Sequence, residues 1–315
     1  MKLGIGVTDF SWPGGPEQIG PNLSWVARTA DEAGIDSLWV MDHFFQIRLS
    51  GRPPEDPMLE AYAALGFIAG QTRRVRLGTL VTSIAYRHPG VLVKTVTTLD
   101  ALSGGRMIFG VGAGAPFNPV PAGPGTSFEA EGLGIPFPSL AERFERLEEV
   151  LQIAHQMWRG DDSPYQGTHY QLARPLNSPN SVQRPHPPVL IGGSGERKTL
   201  RLVARYADAC NLFDLPGTRF AGNLAAKLAV LREHCAAEGR DYASIEKTVT
   251  TQFSLDDDPD NALAVLLEHI RELAAAGIEH VLLSPHGPWD EATLTAVTSL
   301  VPQVHAIPVA GAAVR

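Results

Sequence analysis

Residues 189–207 read VLIGGSGERKTLRLVARYA, an apolar run that meets a glycine cluster and then passes into helical spacing. Leu200, Val203, Ala204 and Ala207 fall at i, i+3, i+4 and i+7, so the second half presents one apolar face to a core. The stretch therefore reads as strand, turn and helix start. Gly192, Gly193 and Gly195 lack the Cβ atoms that would obstruct a ligand, and the first amides of a helix have no intrahelical acceptor. Such a turn suits a phosphate, and it serves equally as a plain tight βα connection. It is neither a P-loop, since no glycine precedes Lys198 and Thr199, nor a dinucleotide fingerprint, since Lys198 stands where the third glycine belongs.

Working outward, the same unit recurs. AAAGIEHVLLS at 274–284 parallels DEAGIDSLWVM at 31–41, each a helix end, a glycine C-cap and a buried strand. Strands are expected to start at residues 3, 35, 75, 106, 189, 209, 246 and 278, each followed by a helix. Helices are expected at 56–68, opened by Asp56 and Pro57, and at 89–102, opened by Pro89. A long amphipathic one follows the capping-box pair Ser139 and Glu142. Eight βα units predict one (β/α)8 barrel, a TIM barrel, over residues 1–315, with insertions after the fourth strand and the fourth helix.

Composition excludes several classes. The formal net charge is −8 with dispersed basic residues, which argues against a nucleic-acid or anionic-membrane surface. Cys210 and Cys235 are too few for a disulfide framework or a zinc site, and residues 1–10 carry no signal-peptide core, so a cytoplasmic protein is expected. No apolar stretch approaches the ~20 residues of a membrane span. A homodimer is the assembly left open.

In a barrel of this kind the active site lies at the C-terminal ends of the strands. That rule selects Thr8 and Asp9, Asp42 and His43, 81–83, 112–115, 192–195, 211–214, Ser254, and 284–286. Asp42 and His43 stand out: a neutral imidazole beside a carboxylate can donate, accept or stabilise charge near neutral pH. The pair can also serve only to fix the following loop. His286 and Asp214 are read as structural. The remaining histidines do not pair at metal-ligand spacing with a rim carboxylate, so no metal is expected. Lys2, Lys94, Lys198, Lys227 and Lys247 avoid strand C-termini, which disfavours Schiff-base chemistry. Residues 115–138, with Pro116, Pro119, Pro121, Pro124, Pro136 and Pro138, form a long insertion expected either to cover the barrel mouth or to be an idle excursion.

SLWVMDHF, RVRLGTLVTS with YRHPGVLVKTVTTLDALSGGRMIFGVGAG, GIPFPSLAERFERLEEVLQIAHQMW and RPHPPVLIGGSGERKTLRLVARYADACNL together resemble the luciferase-like monooxygenase superfamily, above all its branch that uses the deazaflavin coenzyme F420. The likeness runs from the first strand to the last helix. It implies a barrel holding a reduced flavin or deazaflavin at its C-terminal face. Asp42 and His43 match the pair beside the ring's redox centre, and Leu80 and Val81 match a site where a non-prolyl cis peptide often backs the ring. Ala113 and Gly114 match ring contacts; Gly192, Gly193, Ser194 and Gly195 match the turn that receives the phosphate or tail. Ala115 stands where sugar-phosphate-oxidising relatives carry a glutamate general acid, which counts against that substrate.

The resemblance implies an oxidoreductase that moves hydride between F420 and a small organic substrate, with His43 and Asp42 as the catalytic pair. An FMN-dependent monooxygenase on the same barrel is the alternative, and a non-catalytic flavin-binding barrel is the third.

Overall fold

The computed structural model describes residues 1–47, 53–114, 126–215, 223–255 and 258–311, with backbone only at 126 and 127. Eight parallel strands close on themselves: β1 (Lys2–Val7), β2 (Ser37–Val40), β3 (Arg76–Thr79, resumed at Thr82–Ser83), β4 (Met107–Gly112), β5 (Val189–Gly192), β6 (Ala209–Phe213), β7 (Glu246–Phe253) and β8 (His280–Pro285). Closure is sealed where β8 pairs β1, with Lys2 opposite His280, and where β3 pairs β4, with Leu77 opposite Met107. The eight strands inferred from the sequence are these eight, and their parallel register sets every C-terminus on one rim.

Around the strands run α1 (Ile19–Ala33), α2 (Ala61–Gln71), α3 (Pro89–Ser103), α4 (Thr126–Gly132), α5 (Leu140–Trp158), α6 (Thr199–Tyr206), α7 (Leu224–Ala237), α8 (Pro259–Ala275), α9 (Glu291–Ser299) and α10 (Val301–His305). Ser139 caps α5 by accepting from the Glu142 amide at 3.3 Å, as the capping-box spacing implies. The second helix starts later than the Asp56–Pro57 signal suggests. Glu60 takes the cap, its carboxylate accepting from the Ala63 amide at 2.7 Å, and Pro57 lies in the irregular segment before it. The eighth helix starts earlier than its apolar spacing shows, because Asp258 caps it and Pro259 opens it. The polar excursion after α5 contains a short hairpin, Tyr165–Gln166 with Gln171–Leu172.

Two hydrophobic layers result from strand alternation. Leu3, Ile5, Val7, Leu38 and Val40 face outward into the helices, whereas Trp39, Ile108, Leu190, Ala209 and Leu282 fill the barrel. Trp39 is 1% exposed, and its indole N–H donates to Ser37 Oγ at 2.7 Å. A Cβ on Gly78 would lie 2.5 Å from the Trp39 ring, so a large side chain on β2 dictates a glycine on β3. Leu200, Val203, Ala204 and Ala207 are fully buried, which confirms the helical face read from residues 189–207.

Candidate active site

β3 does not run straight to the rim. The Leu80–Val81 peptide bond is cis, where the family resemblance places one, and the strand resumes only at Thr82. Leu80 and Val81 pack against the cluster inside the barrel and so form its apolar upper surface. Three glycines on or after β4 follow from this detour. A Cβ on Gly110 would sit 1.9 Å from the Thr79 carbonyl oxygen, one on Gly112 2.8 Å from Val81, and one on Gly114 2.6 Å from Ser83 Oγ. The GVGAG run thus records the path of β3.

The glycines of the opening stretch have a similar reason. A Cβ on Gly192 would meet Val81 at 2.7 Å, and one on Gly195 would meet Thr199 Oγ1 at 2.8 Å. Protein atoms therefore fill space that the sequence reading reserved for a ligand. The Gly193 amide donates to the Asn211 carbonyl at 3.0 Å, so it is committed within the barrel. Gly193 has φ 118°, a conformation that favours glycine. Ser194 is half-buried and Gly195 exposed at the rim, and α6 begins only at Thr199. Lys198 Nζ lies over the Phe144 ring, 5.2 Å from its centroid.

On the opposite side of the mouth, Asp42 is buried and its Oδ2 accepts from Arg87 at 2.8 Å and from the Ser83 amide at 3.2 Å. Arg87 also pairs with Glu60 and lies over the Tyr62 ring at 4.7 Å. Burial alone would lower the Arg87 guanidinium, but the Asp42 carboxylate outweighs it and holds the group protonated above its ordinary range. Burial pushes the Asp42 carboxyl up against the opposing pull of Arg87, and the contact between the two fastens β2 to the segment after β3. Tyr62 donates or accepts at Thr82 Oγ1 over 2.6 Å, and burial pushes its phenol upward.

His43 projects differently. Its Nδ1 lies 2.9 and 3.1 Å from the two oxygens of Glu129, a carboxylate on α4 that is 1% exposed. Part of the proline-rich insertion, residues 115–125 with Ala115, lies outside the described residues. The part that is described begins with the helix α4, and that helix reaches the second strand's end through Glu129.

Sequence reasoning missed Glu129, Arg87 and Arg143. Thr126 and Glu129 stand at capping-box spacing, a signal that marks a helix start though not a partner for His43. Arg143 is buried on the first turn of α5. Its Nη1 donates to the carbonyls of Ala113 and Gly114, its guanidinium lies 4.2 Å from the Phe137 centroid, and burial lowers it. It ties down the two residues after β4. Asp214 pairs with His269 at 3.2 Å, in keeping with its structural reading. Among the described residues, no three His, Cys, Asp or Glu side chains are placed to hold a metal ion, and no helix is long and apolar enough to cross a membrane.

A closed (β/α)8 barrel carries its site at the mouth formed by the strand C-termini, and the chain's place among such barrels is specific. The model of the luciferase-like monooxygenase family matches residues 1–302, and the chain belongs to that family. It is 32% identical over 254 residues to the F420-dependent glucose-6-phosphate dehydrogenase of Kineococcus radiotolerans, covering 78% of this chain and 68% of that one. The corresponding enzyme of Nakamurella multipartita is 31% identical over 260 residues, covering 81% and 70%. Among solved structures, an F420-dependent secondary alcohol dehydrogenase in complex with an F420-acetone adduct superposes with TM-score 0.76 at 20% identity, over 96% of this chain and 98% of the other. A monooxygenase from Streptomyces bottropensis gives TM-score 0.75 at 21% identity, over 97% and 100%. At those identities the two structures speak for the fold.

Proposed function

We propose that this chain transfers hydride between coenzyme F420 and a small organic substrate bound at the C-terminal mouth. The observation that carries the reading is the conjunction of His43 with the Leu80–Val81 shelf on one rim, in a chain whose relatives at 31–32% identity are F420-dependent dehydrogenases. The residues fit such a group. Leu80 and Val81 offer an apolar floor for a planar ring; Ala113 and Gly114 would flank it, and the turn formed by Gly192, Gly193, Ser194 and Gly195 would receive the phosphate or tail above the half-buried Gly193 and Ser194. Ser83 Oγ, buried beside Gly114 and without a hydrogen-bond partner among the described residues, is a polar group available at the ring's edge. When bound, the deazaflavin supplies a carbon centre that exchanges two electrons as hydride.

His43 handles the accompanying proton. In the oxidising direction a C–H hydrogen leaves with both bonding electrons, and the proton of the neighbouring O–H goes to the imidazole; the reducing direction returns both. Asp42 fixes the backbone beside it through Arg87 and Ser83. Because Ala115 replaces the glutamate of the sugar-phosphate oxidisers, the substrate is read as an organic compound other than a sugar phosphate. Titrating the purified protein with F420 and with FMN tests the cofactor. Tighter binding of F420 is expected, and a clear preference for FMN would transfer the chain to the monooxygenase reading.

We read the protein as a cytoplasmic homodimer. Cys210 and Cys235 are both free and buried, as a chain that needs no disulfide would have them. Val91 and Leu102 are 62% and 76% exposed at the two ends of one α3 stripe that carries Thr95 and Thr98 between them, and Val91 shares a groove with the exposed Leu176. Exposed apolar side chains on this helix make α3 the surface on which we place contact with a second copy. Leu102→Glu should yield a monomer in light scattering; an unchanged mass would remove α3 from the interface.

A further inference from the structure

We propose that Glu129, supplied by the insertion, is a positioning residue that fixes the tautomer and orientation of His43 and leaves Nε2 as its open nitrogen. The proposal rests on the reading of His43 given above and adds to it the group that sets the imidazole. Glu129 Oε1 accepts the backbone amides of Phe44 and Phe45 at 3.2 and 3.0 Å, and Oε2 accepts the Tyr86 hydroxyl. Amides can only donate, so the carboxylate acts as the acceptor toward these neighbours. His43 Nδ1, 2.9 Å from Oε2, completes the set.

Nδ1 must then carry the hydrogen. A neutral imidazole has one N–H, so its lone pair is left on Nε2. Among the described residues Nε2 has no hydrogen-bonding partner, and the side chain is 20% exposed. A buried carboxylate behind one ring nitrogen and an open second nitrogen is the arrangement by which a third group orients an acid or base. The same carboxylate stabilises the ring when a proton arrives at Nε2.

The contact joins residues 86 positions apart, so it exists only when α4 is seated. Phe128 meets Phe45 edge-on at 5.9 Å, and a Cβ on Gly132 would come within 3.0 Å of the Phe45 ring. The insertion therefore builds one wall of the site. His43 is set by a residue that belongs neither to a barrel strand nor to one of the eight helices that follow the strands.

The test reads the ring directly. In 15N-labelled protein the imidazole nitrogens of His43, assigned by their loss in His43→Gln, are recorded at a pH where the ring is neutral. The wild type should show N–H at Nδ1 and a pyridine-type Nε2. Glu129→Gln should abolish that single tautomer and slow single-turnover hydride transfer to F420 by roughly 10- to 100-fold, the usual size of losing an orienting partner. Tyr86→Phe, which removes another Glu129 ligand, should lower the melting temperature but keep the wild-type ring signature. Retention of the Nδ1–H form in Glu129→Gln, or the same ring change in both variants, would overturn the proposal. If Glu129→Gln does not fold, Glu129→Asp, whose carboxylate is drawn back from Nδ1, carries the same two readings. A changed ring in Glu129→Gln together with full turnover in His43→Ala would support the positioning by Glu129 and overturn only the reading of His43.

Discussion

Among the described residues His43 is anchored through Nδ1, and Asp42, its neighbour in sequence, is fastened elsewhere by Arg87 and the Ser83 amide. The two residues read as one pair from the sequence are thus two separate devices: one holds the rim and the other faces the mouth. His43→Ala should lower kcat by roughly 100-fold or more, as removal of a positioned proton acceptor does. Affinity for F420 should change far less, because the turn proposed to hold its phosphate, Gly192 to Gly195, lies at the end of β5, away from β2. Single-turnover kinetics beside a melting curve decides the matter. A variant that melts early but keeps its rate would return His43 to a loop-fixing role.

Elements constrain one another through contacts too close for a side chain. Gly110→Ala would drive a methyl into the Thr79 carbonyl at 1.9 Å, and backbone cannot swing aside as a side chain can. A loss of more than about 3 kcal/mol is expected, at the upper end of overpacking effects. Gly70→Ala meets nothing within 4 Å near the end of α2 and should instead stabilise by about 0.5–1 kcal/mol. Denaturant melts of both variants check the contrast. The β5 turn needs equal care as a test of phosphate binding. An aspartate at Gly193 would be strained at φ 118° whatever the ligand, whereas among the described residues only glycines have positive φ, so Ser194→Asp adds the charge without that strain. It should weaken F420 binding by over tenfold, by about 1.4 kcal/mol or more, while the melting temperature stays put. Unchanged affinity would place the phosphate away from this turn.

At the scale of the whole molecule, the end of the barrel opposite the site is tied by charge. Glu246 on β7 lies 2.9 Å from Lys2 on β1 and 3.4 Å from His280 on β8, so three neighbouring strands meet at one carboxylate. Burial alone would raise that carboxyl, but the His280 hydrogen bond and the Lys2 charge outweigh it and hold it well below the usual carboxylate range. A carboxyl lowered in the folded state contributes stability that is full above its unfolded value, near 4.5, and is lost as pH falls through the folded one. Glu246→Gln should therefore cost about 1.5–3 kcal/mol near neutral pH, the worth of hydrogen bonds to a charged group. The difference should shrink as the solution is acidified below about pH 4. Urea melts of wild type and variant across that range would show the two curves converging; a constant gap would mean that packing, and not charge, is what Glu246 contributes.

Local physics made the barrel legible in the sequence. Strand and helix periods, glycine C-caps and the Ser139 cap are set by residues within a few positions of one another, and eight such units in a row have one common closure. The same logic put Asp42, His43, Val81, Gly114 and Gly193 on one rim, because parallel strands share an end. What only the tertiary structure decided are pairings across long stretches of chain. The glycines of GVGAG and IGGSG look alike as ligand turns, yet the broken path of β3 and the seat of Thr199 account for most of them. Glu129 reads as one acidic residue in a proline-flanked insertion, and no periodicity links it to His43. Only a folded chain brings its carboxylate to within 2.9 Å of that imidazole, because the contact depends on where α4 docks and not on any pattern within α4 itself.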